Sequence, residues 1–340
     1  MSHRPIIALT AGDCTGIGPE LVATIVAERR VADDARLLLI GDARVFEEGQ
    51  RRAGKPFRMR PCLEPSEADW SGEAIPMIDL GNTDPSHFPV GIADAGSGRM
   101  TGDTLKAAID LAIAGSVDAV SFAPLNKRAL FDGGWRFPDE HKMFAHLLGH
   151  RGYFSEMNVL GQWWMSRVTS HVSLRQALDQ IDASSIRNAI RLAVDTMRRA
   201  GIEQPRLAVA ALNPHAGENG LFGSEEIDTI APAVAAMAAE GYACEGPFPA
   251  DTVYLKAFGG AYDGVLAMYH DQGQIATKLK GFNQGVTVTA GLATVFTTPA
   301  HGTAFDIAGT GRADAGAMEA ALRLAARLAA RRQTAAEAAA

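Results

Sequence analysis

Asp263-Gly264-Val265-Leu266-Ala267 runs directly into Met268-Tyr269-His270-Asp271-Gln272-Gly273-Gln274-Ile275-Ala276-Thr277-Lys278-Leu279-Lys280-Gly281, and the change of residue type at that junction decides the reading of the chain. The first five residues are a short apolar run, which predicts a buried strand. An imidazole, a carboxylate and an amide follow at once. Open α/β sheets carry their ligand groups at the carboxyl ends of strands, where a rigid strand meets a loop that opens to solvent. His270 beside Asp271 can bind a divalent metal or move a proton. Lys278 offers a cation to an anionic substrate, although a polar surface turn would show the same residue types.

The rest of the chain repeats this rhythm. Strands are predicted at Ile6 to Leu9, Leu37 to Ile40, Asp118 to Ala123, Trp163 to Met165, Leu207 to Leu212, Val286 to Thr289 and Ala293 to Thr297. Helical periodicity occupies Ser97 to Ala114, Met143 to Gly149, Leu174 to Leu178, Ser184 to Ala200 with Ser184 as its cap, and Ala313 to Arg332, and a helix closes at Met237 to Glu240. Ala335 to Ala340 is expected to fray, and Pro56 to Pro89 reads as loops and edge strands. Strands alternating with helices imply an α/β protein with a largely parallel sheet covered on both faces. Near the start, Pro19 and Glu20 suit a first helical turn after the Gly-rich segment Gly12 to Gly18. That strand, turn and helix can form an anion-binding nest, but the glycines lack the dinucleotide-fingerprint spacing.

Composition limits the function. A chain of 340 residues with 47% hydrophobic and 21% charged residues can bury a large core, as two domains or one large α/β unit. The net charge of −7 and the lack of a basic run argue against nucleic-acid binding. Cys14, Cys62 and Cys244 are few and far apart, which fits a reducing compartment. The start shows no signal-peptide pattern and no apolar run is bilayer-long, so a cytoplasmic protein without membrane partners is expected.

Three histidines share one context: His171, His215 and His270 each follow an apolar strand. Neutral imidazoles are good ligands for first-row divalent ions, and three of them leave room for a substrate oxygen. Asp251 and Asp271 could add a ligand, orient an imidazole or accept a proton. Any one of these histidines taken alone reads first as a hydrogen-bonded structural residue, and it is the strand-end position shared by all three that points to a ligand set.

Four ordered segments together, Gly12 to Glu20, Asn213 to Glu218, Met268 to Gly273 and His301 to Gly309, resemble the 4-hydroxythreonine-4-phosphate dehydrogenase family. The resemblance runs from Ile6 to about Leu324. The first and last segments are also similar to the isocitrate and isopropylmalate dehydrogenases. The resemblance implies a three-layer, isopropylmalate-dehydrogenase-like α/β fold, with two subdomains flanking a central cleft. The expected division is 1–130 plus 292–330 on the cofactor side, and 131–291 for metal binding and dimerisation. It implies a dehydrogenase using NAD, or NADP in its place, that oxidises a secondary alcohol of a hydroxyacid, with loss of carbon dioxide from a β-keto acid product. His171, His215 and His270 would hold one divalent metal (Zn, Mg, Mn or Co) at a homodimer interface. Asp251, Asp271 and Lys127 would be catalytic, Lys127 reading equally as a salt-bridging lysine. His301, Gly302, Thr303, Ala304 and Asp306 would contact the cofactor.

Substrate contacts would come from His141, Lys142, Lys278, Thr287 and Phe296. His141 and Lys278 match the family pattern, but Lys142 stands where the family has Thr, Thr287 where it has Asn, and Phe296 where it has Arg. Losing a planar guanidinium forfeits a contact worth roughly 1.5–3 kcal/mol and leaves an apolar wall. Either Lys142 restores the charge, or the substrate ends in a carboxylate, a plain polyol or a ring. Family branches acting on threonate or erythronate phosphates, or on a cis-dihydrodiol of terephthalate, span that range. A metal-dependent hydrolase and a non-catalytic ligand-binding homologue are the alternatives; NAD binding that depends on the His301 loop counts against the hydrolase, and intact His171, His215, His270 and Asp271 count against the non-catalytic homologue.

Overall fold

A computed structural model describes residues 4–281 and 284–339, with the side chains of 333–339 left aside; the expected fraying of 335–340 lies outside the described side chains. Along the chain come β1 (Ile6–Thr10), α1 (Gly18–Ala27), β2 (Arg36–Gly41), α2 (Ala43–Ala53), β3 (Met59–Pro61), β4 (Ile75–Asp79), α3 (Ala95–Ile113), β5 (Ala119–Phe122), α4 (Lys127–Asp132) and α5 (Glu140–Leu147). Next are β6 (Ser155–Leu160), β7 (Trp163–Arg167), α6 (Leu174–Gln180), α7 (Ala183–Arg199), β8 (Leu207–Ala210), α8 (Ala231–Ala239), β9 (Cys244–Phe248), α9 (Ala250–Phe258), β10 (Gly264–Ala267), α10 (His270–Gly281) and β11 (Gly285–Ala290). β12 (Val295–Pro299) and α11 (Gly316–Ala339) complete it.

The chain divides into two compact units: unit 1 holds residues up to Arg151 and from Leu292 onward, and unit 2 is Gly152–Gly291. Residues 131–151, expected with the metal-binding part, pack with unit 1 instead. The reason is aromatic: Phe144 of α5 stacks on Phe296 with ring centroids 4.2 Å apart, and meets Phe122 edge-on.

In unit 1 the strands lie in the order β3-β4-β2-β1-β5-β12, every neighbouring pair parallel. Each central strand reads as an unbroken apolar run because both faces are covered. Leu9, Leu39 and Met77 meet Leu21, Val22 and Ile25 of α1, Phe46 of α2, and Met318 and Leu322 of α11. Each such side chain stabilises the unit by about 1.5–3 kcal/mol. β3 is the short edge strand expected from the Pro-rich segment.

In unit 2 the order is β11-β6-β7-β10-β8-β9. β6 runs antiparallel to both neighbours and the other pairs are parallel. The two-residue link Gly161-Gln162 makes β6 and β7 a hairpin, Gly161 supplying a φ of +61°. The core joins Trp163, Met165, Ala208, Val253 and Val265. α7 is capped by Asp182 and not by Ser184: the Asp182 carboxylate accepts the Ser185 N–H, and the Ser185 hydroxyl accepts the Asp182 N–H in return. After β10 the expected loop is a helix. α10 starts at His270 itself, and a Cβ at Gly273 would lie 2.5 Å from Met165 Sδ, so glycine lets the helix approach β7. No helix among the described residues is long and apolar enough to cross a membrane.

Candidate active site

The local chemistry starts from strand pairing. β7 and β10 are parallel neighbours, Ala267 facing Arg167, so their carboxyl ends lie side by side. The pairing continues past both strands, Val168 N–H donating to Ala267 O and Thr169 N–H to Met268 O. The two outgoing segments therefore carry His171 and His270 to one place, with ring centroids 5.6 Å apart. His171 turns toward its neighbour from a left-handed backbone, φ +54°. Asp271 Oδ1 is 2.6 Å from His270 Nδ1, which orients the ring and leaves Nε2 for a ligand. Gln272 fixes the helix start: its Oε1 accepts the Met268 N–H and its Nε2 donates to Ala211 O. Thr169, Ser170, Leu174 and Tyr269 complete the walls of a cavity of about 190 Å³ around these groups. Asp251, on the first turn of α9, lines a wider neighbouring cavity of about 520 Å³ that also reaches Asp271 and Tyr269.

His215 is not brought to this cluster. No three His, Cys, Asp or Glu residues among those described could hold a metal ion together. The cause is the backbone after β8. His215, Ala216, Gly217, Glu218, Asn219 and Gly220 all have positive φ, a left-handed turn that displays the His215 ring beside Phe222 at 6.2 Å. Buried Glu226 holds this turn from below. Its Oε1 accepts the N–H groups of Leu212 and Asn213 at 2.8 and 2.7 Å, and its Oε2 accepts Asn213 Nδ2–H at 2.9 Å. Leu221, Phe222 and Ile227 stand exposed around it, and Leu255, Ile275 and Leu279 stand exposed on α9 and α10.

In unit 1, Lys127 Nζ lies 3.2 Å from Glu140 Oε2, and His141 Nε2 lies 3.7 Å from Glu140 Oε1. Glu140 is nearly buried and so links two sequence-nominated residues, a role invisible in the sequence. Its own position comes from Asp139, which caps α5 by accepting the Lys142 N–H. The Lys142 side chain is exposed, as is that of Lys278 on α10. Phe296 is fully buried in its stack with Phe144 and so presents no wall to a ligand. Thr287, in unit 2, is 7% exposed and accepts from Asn158 Nδ2 at 3.1 Å. Asn158 Oδ1 in turn accepts from the wholly buried Arg167 and from Gln274, with Glu156 2.6 Å from the guanidinium. Thr287 belongs to that internal network.

The proposed cofactor segment also lies in unit 1. Ile17 N–H donates to Thr303 O, and a Cβ on Gly16 would come within 2.9 Å of Thr303 Cβ, so the Gly-rich turn and the 301–311 loop touch. Glu20 accepts the Gly309 and Gly311 N–H groups, tying the loop to the first turn of α1. Ala304 is left-handed at φ +43°, and His301 Nδ1 meets Gly302 O at 3.1 Å. Gly302 and Asp306 are exposed, available to a ligand. Asp13 is buried; desolvation raises its carboxyl above the usual range, against the lowering effect of the Thr15 hydrogen bonds. Burial likewise pushes the Cys14 thiol up to about 12, so it is a packed, un-ionised side chain at neutral pH.

A family model described as "Pyridoxal phosphate biosynthetic protein PdxA" matches residues 33–325. The chain belongs to this family. D-threonate 4-phosphate dehydrogenase of Cupriavidus necator is 43% identical over 97% of this chain and 99% of its own. The crystal structure of 4-hydroxythreonine-4-phosphate dehydrogenase from Klebsiella pneumoniae superimposes with a TM-score of 0.82 at 40% identity, covering 96% of this chain and 99% of that one. Isocitrate dehydrogenase from Methylococcus capsulatus shares the fold alone, at a TM-score of 0.51 and 15% identity over 98% of this chain and 89% of that one. The PdxA family thus accounts for the α/β architecture and for an enzyme of the dehydrogenase class.

Proposed function

We propose that this PdxA-family chain is an NAD-dependent, divalent-metal-dependent dehydrogenase acting on a phosphorylated four-carbon hydroxyacid of the D-threonate 4-phosphate class. The secondary alcohol loses a proton to a base and a hydride to the nicotinamide, and the resulting β-keto acid releases carbon dioxide. The observation that carries the reading is the pair of imidazoles at adjacent strand ends, His171 and His270, with Asp271 on the far nitrogen of His270. Two neutral imidazoles backed by a carboxylate fit a first-row divalent cation. When bound, such a cation supplies Lewis acidity toward the alcohol oxygen.

The third imidazole, His215, is contributed across a homodimer interface, and the exposed apolar side chains of unit 2 support such a face. Unit 2 is then the metal-binding and dimerising part, and unit 1 the cofactor side, with His301, Gly302, Thr303, Ala304 and Asp306 along the nicotinamide dinucleotide. Asp271 is committed to His270, so Asp251 and Lys127 move protons, with Lys127 positioned by its ion pair to Glu140. His141, Lys142 and Lys278 supply positive charge or hydrogen bonds to the substrate phosphate. Lys278 lies eight residues along α10 from His270, about 12 Å at 1.5 Å per residue, a span a phosphorylated four-carbon chain and a lysine can bridge.

The test is initial-rate NADH formation from D-threonate 4-phosphate, 4-hydroxythreonine 4-phosphate and unphosphorylated D-threonate, after chelation and re-addition of Zn, Mg, Mn or Co. Metal-dependent turnover of a phosphorylated substrate is expected. Equal turnover of D-threonate, or no NADH with any of them, overturns the proposal.

A further inference from the structure

A third cavity, of about 490 Å³, lies in unit 1 at the amino-terminal ends of β1, β2 and β4, whereas the Gly-rich turn leaves from the carboxyl end of β1. A volume of that size suits a small organic ligand. Its apolar floor comes from Ile25, Val31, Leu37, Phe57 and Ile75. Four guanidinium groups line it: Arg4, Arg29, Arg36 and Arg58. Against them stand two carboxylates, Asp69 and Glu73, and Asp69 is already ion-paired with Arg60. None of the four lining arginines has a carboxylate within ion-pair distance among the described residues. Arg36 packs its guanidinium over the Trp70 ring, 5.6 Å from the centroid, while its Nε is buried without a hydrogen-bond partner. A buried donor left unpaired costs roughly 1–3 kcal/mol, which a ligand oxygen would relieve.

We infer that this cavity binds a small planar ring bearing a phosphate or carboxylate group. The anion faces Arg36 with Arg4, Arg29 and Arg58 around it, and the ring lies against Phe57 and Trp70. Arginine serves both parts, since its planar fork pairs with an oxyanion and its face stacks on aromatic rings. The site is separate from the catalytic residues proposed above and does not depend on their assignment.

Phenyl phosphate, benzoate, inorganic phosphate and benzyl alcohol are the probes, titrated into the full chain by calorimetry and by tryptophan fluorescence. Phenyl phosphate or benzoate is expected to bind saturably and to change Trp70 emission, at least tenfold more tightly than phosphate or benzyl alcohol alone. Arg58→Ala, at an exposed position that leaves the fold intact, and Arg36→Met should each weaken binding about tenfold. Trp70→Phe should abolish the fluorescence change. Lys278→Ala, at the proposed substrate-phosphate site, should leave the affinity unaltered. Binding that is absent, that survives both arginine substitutions, or that is lost in Lys278→Ala refutes the inference.

Discussion

Glu226→Ala is the substitution that best separates a structural carboxylate from a merely buried one. The turn that presents His215 holds four non-glycine residues with positive φ: His215, Ala216, Glu218 and Asn219. At roughly 1–2 kcal/mol each this backbone stores about 4–8 kcal/mol, which the surroundings must offset. The Glu226 carboxylate does so through three hydrogen bonds, two of them from the backbone N–H groups of Leu212 and Asn213. Its removal leaves those two donors unpaired, at about 1–3 kcal/mol each, so roughly 2–6 kcal/mol is at stake. The two magnitudes are comparable, and His215 itself is exposed, so the turn can relax without unfolding the unit. Relaxation recovers stored strain, and the net loss of stability should be only about 1–2 kcal/mol, a few degrees in Tm. Activity should fall much further, about 100-fold or more, if His215 is the third imidazole of the proposed metal site, because a ring displaced by an ångström no longer completes it. Calorimetric melting and NADH initial rates, measured on the same preparation with Glu226→Gln as an intermediate case, decide it. A Glu226→Ala protein with unchanged rate and unchanged melting would refute the reasoning, and so would one that simply fails to fold.

Other perturbations follow from the same geometry. His171→Ala or His270→Ala should lower turnover by roughly three orders of magnitude while Tm moves by less than about 3 °C, since neither ring is buried; a large fall in Tm would make them structural residues. Phe296→Arg, the residue that the family resemblance implies at this position, should destabilise unit 1 by about 3–5 kcal/mol by burying an unpaired charge, and should not improve use of a phosphorylated substrate; thermal melting and KM for that substrate check both. The Cys14 thiol ionises near 9 when unfolded and near about 12 in the fold. Above about pH 9 the unfolded chain sheds a proton that the fold retains, so stability falls by about 1.4 kcal/mol per pH unit toward pH 12. Cys14→Ala should flatten that slope in urea titrations at pH 8 and above pH 10.

The alternation of strands and helices was legible because period and composition are local properties. Both faces of β1, β2 and β5 are covered, and their sequences are correspondingly unbroken in apolar character. Boundaries were less so. Ser184 and Asp182 are both good caps, and which one starts α7 depends on the Ser185 hydroxyl closing the box. The pairing of His171 with His270 was legible in outline, from two apolar runs ending in polar residues, although 99 residues separate them. Glu140 and Glu226 were not. Each acts on neighbours placed by the fold, and a glutamate in a helical stretch reads as a solvated charge unless its burial is known. His215 shows a further limit: a left-handed turn spanning alanine, glutamate and asparagine has no sequence signature, because those residues prefer φ below zero.

Phe296 shows where a family pattern can mislead and why packing decides. Successive residues in a strand point to opposite faces of the sheet. On β12 both Phe296 and its neighbour Thr297 are wholly buried, so neither face of the strand at this point is open. The Thr297 hydroxyl faces α11, donating to Ala321 O, and Phe296 therefore faces α5, where Phe144 covers it at an interplanar angle of 14°. A phosphate reaching this position would displace an aromatic stack and gain no cation. In the proposed function the charge of a phosphorylated substrate therefore falls to the other nominated residues, of which Lys142 on α5 is exposed. The same burial has a consequence for α5: the stack that removes Phe296 from the ligand surface also fixes the helix that carries Glu140, His141 and Lys142. Phenylalanine at this position therefore serves as a rigid mount beneath three polar residues of α5. Phe296→Leu tests this, because it keeps the burial and loses the stack. It should raise KM for the phosphorylated substrate several-fold with kcat nearly unchanged, and an unaltered KM would leave the stack with a structural role alone.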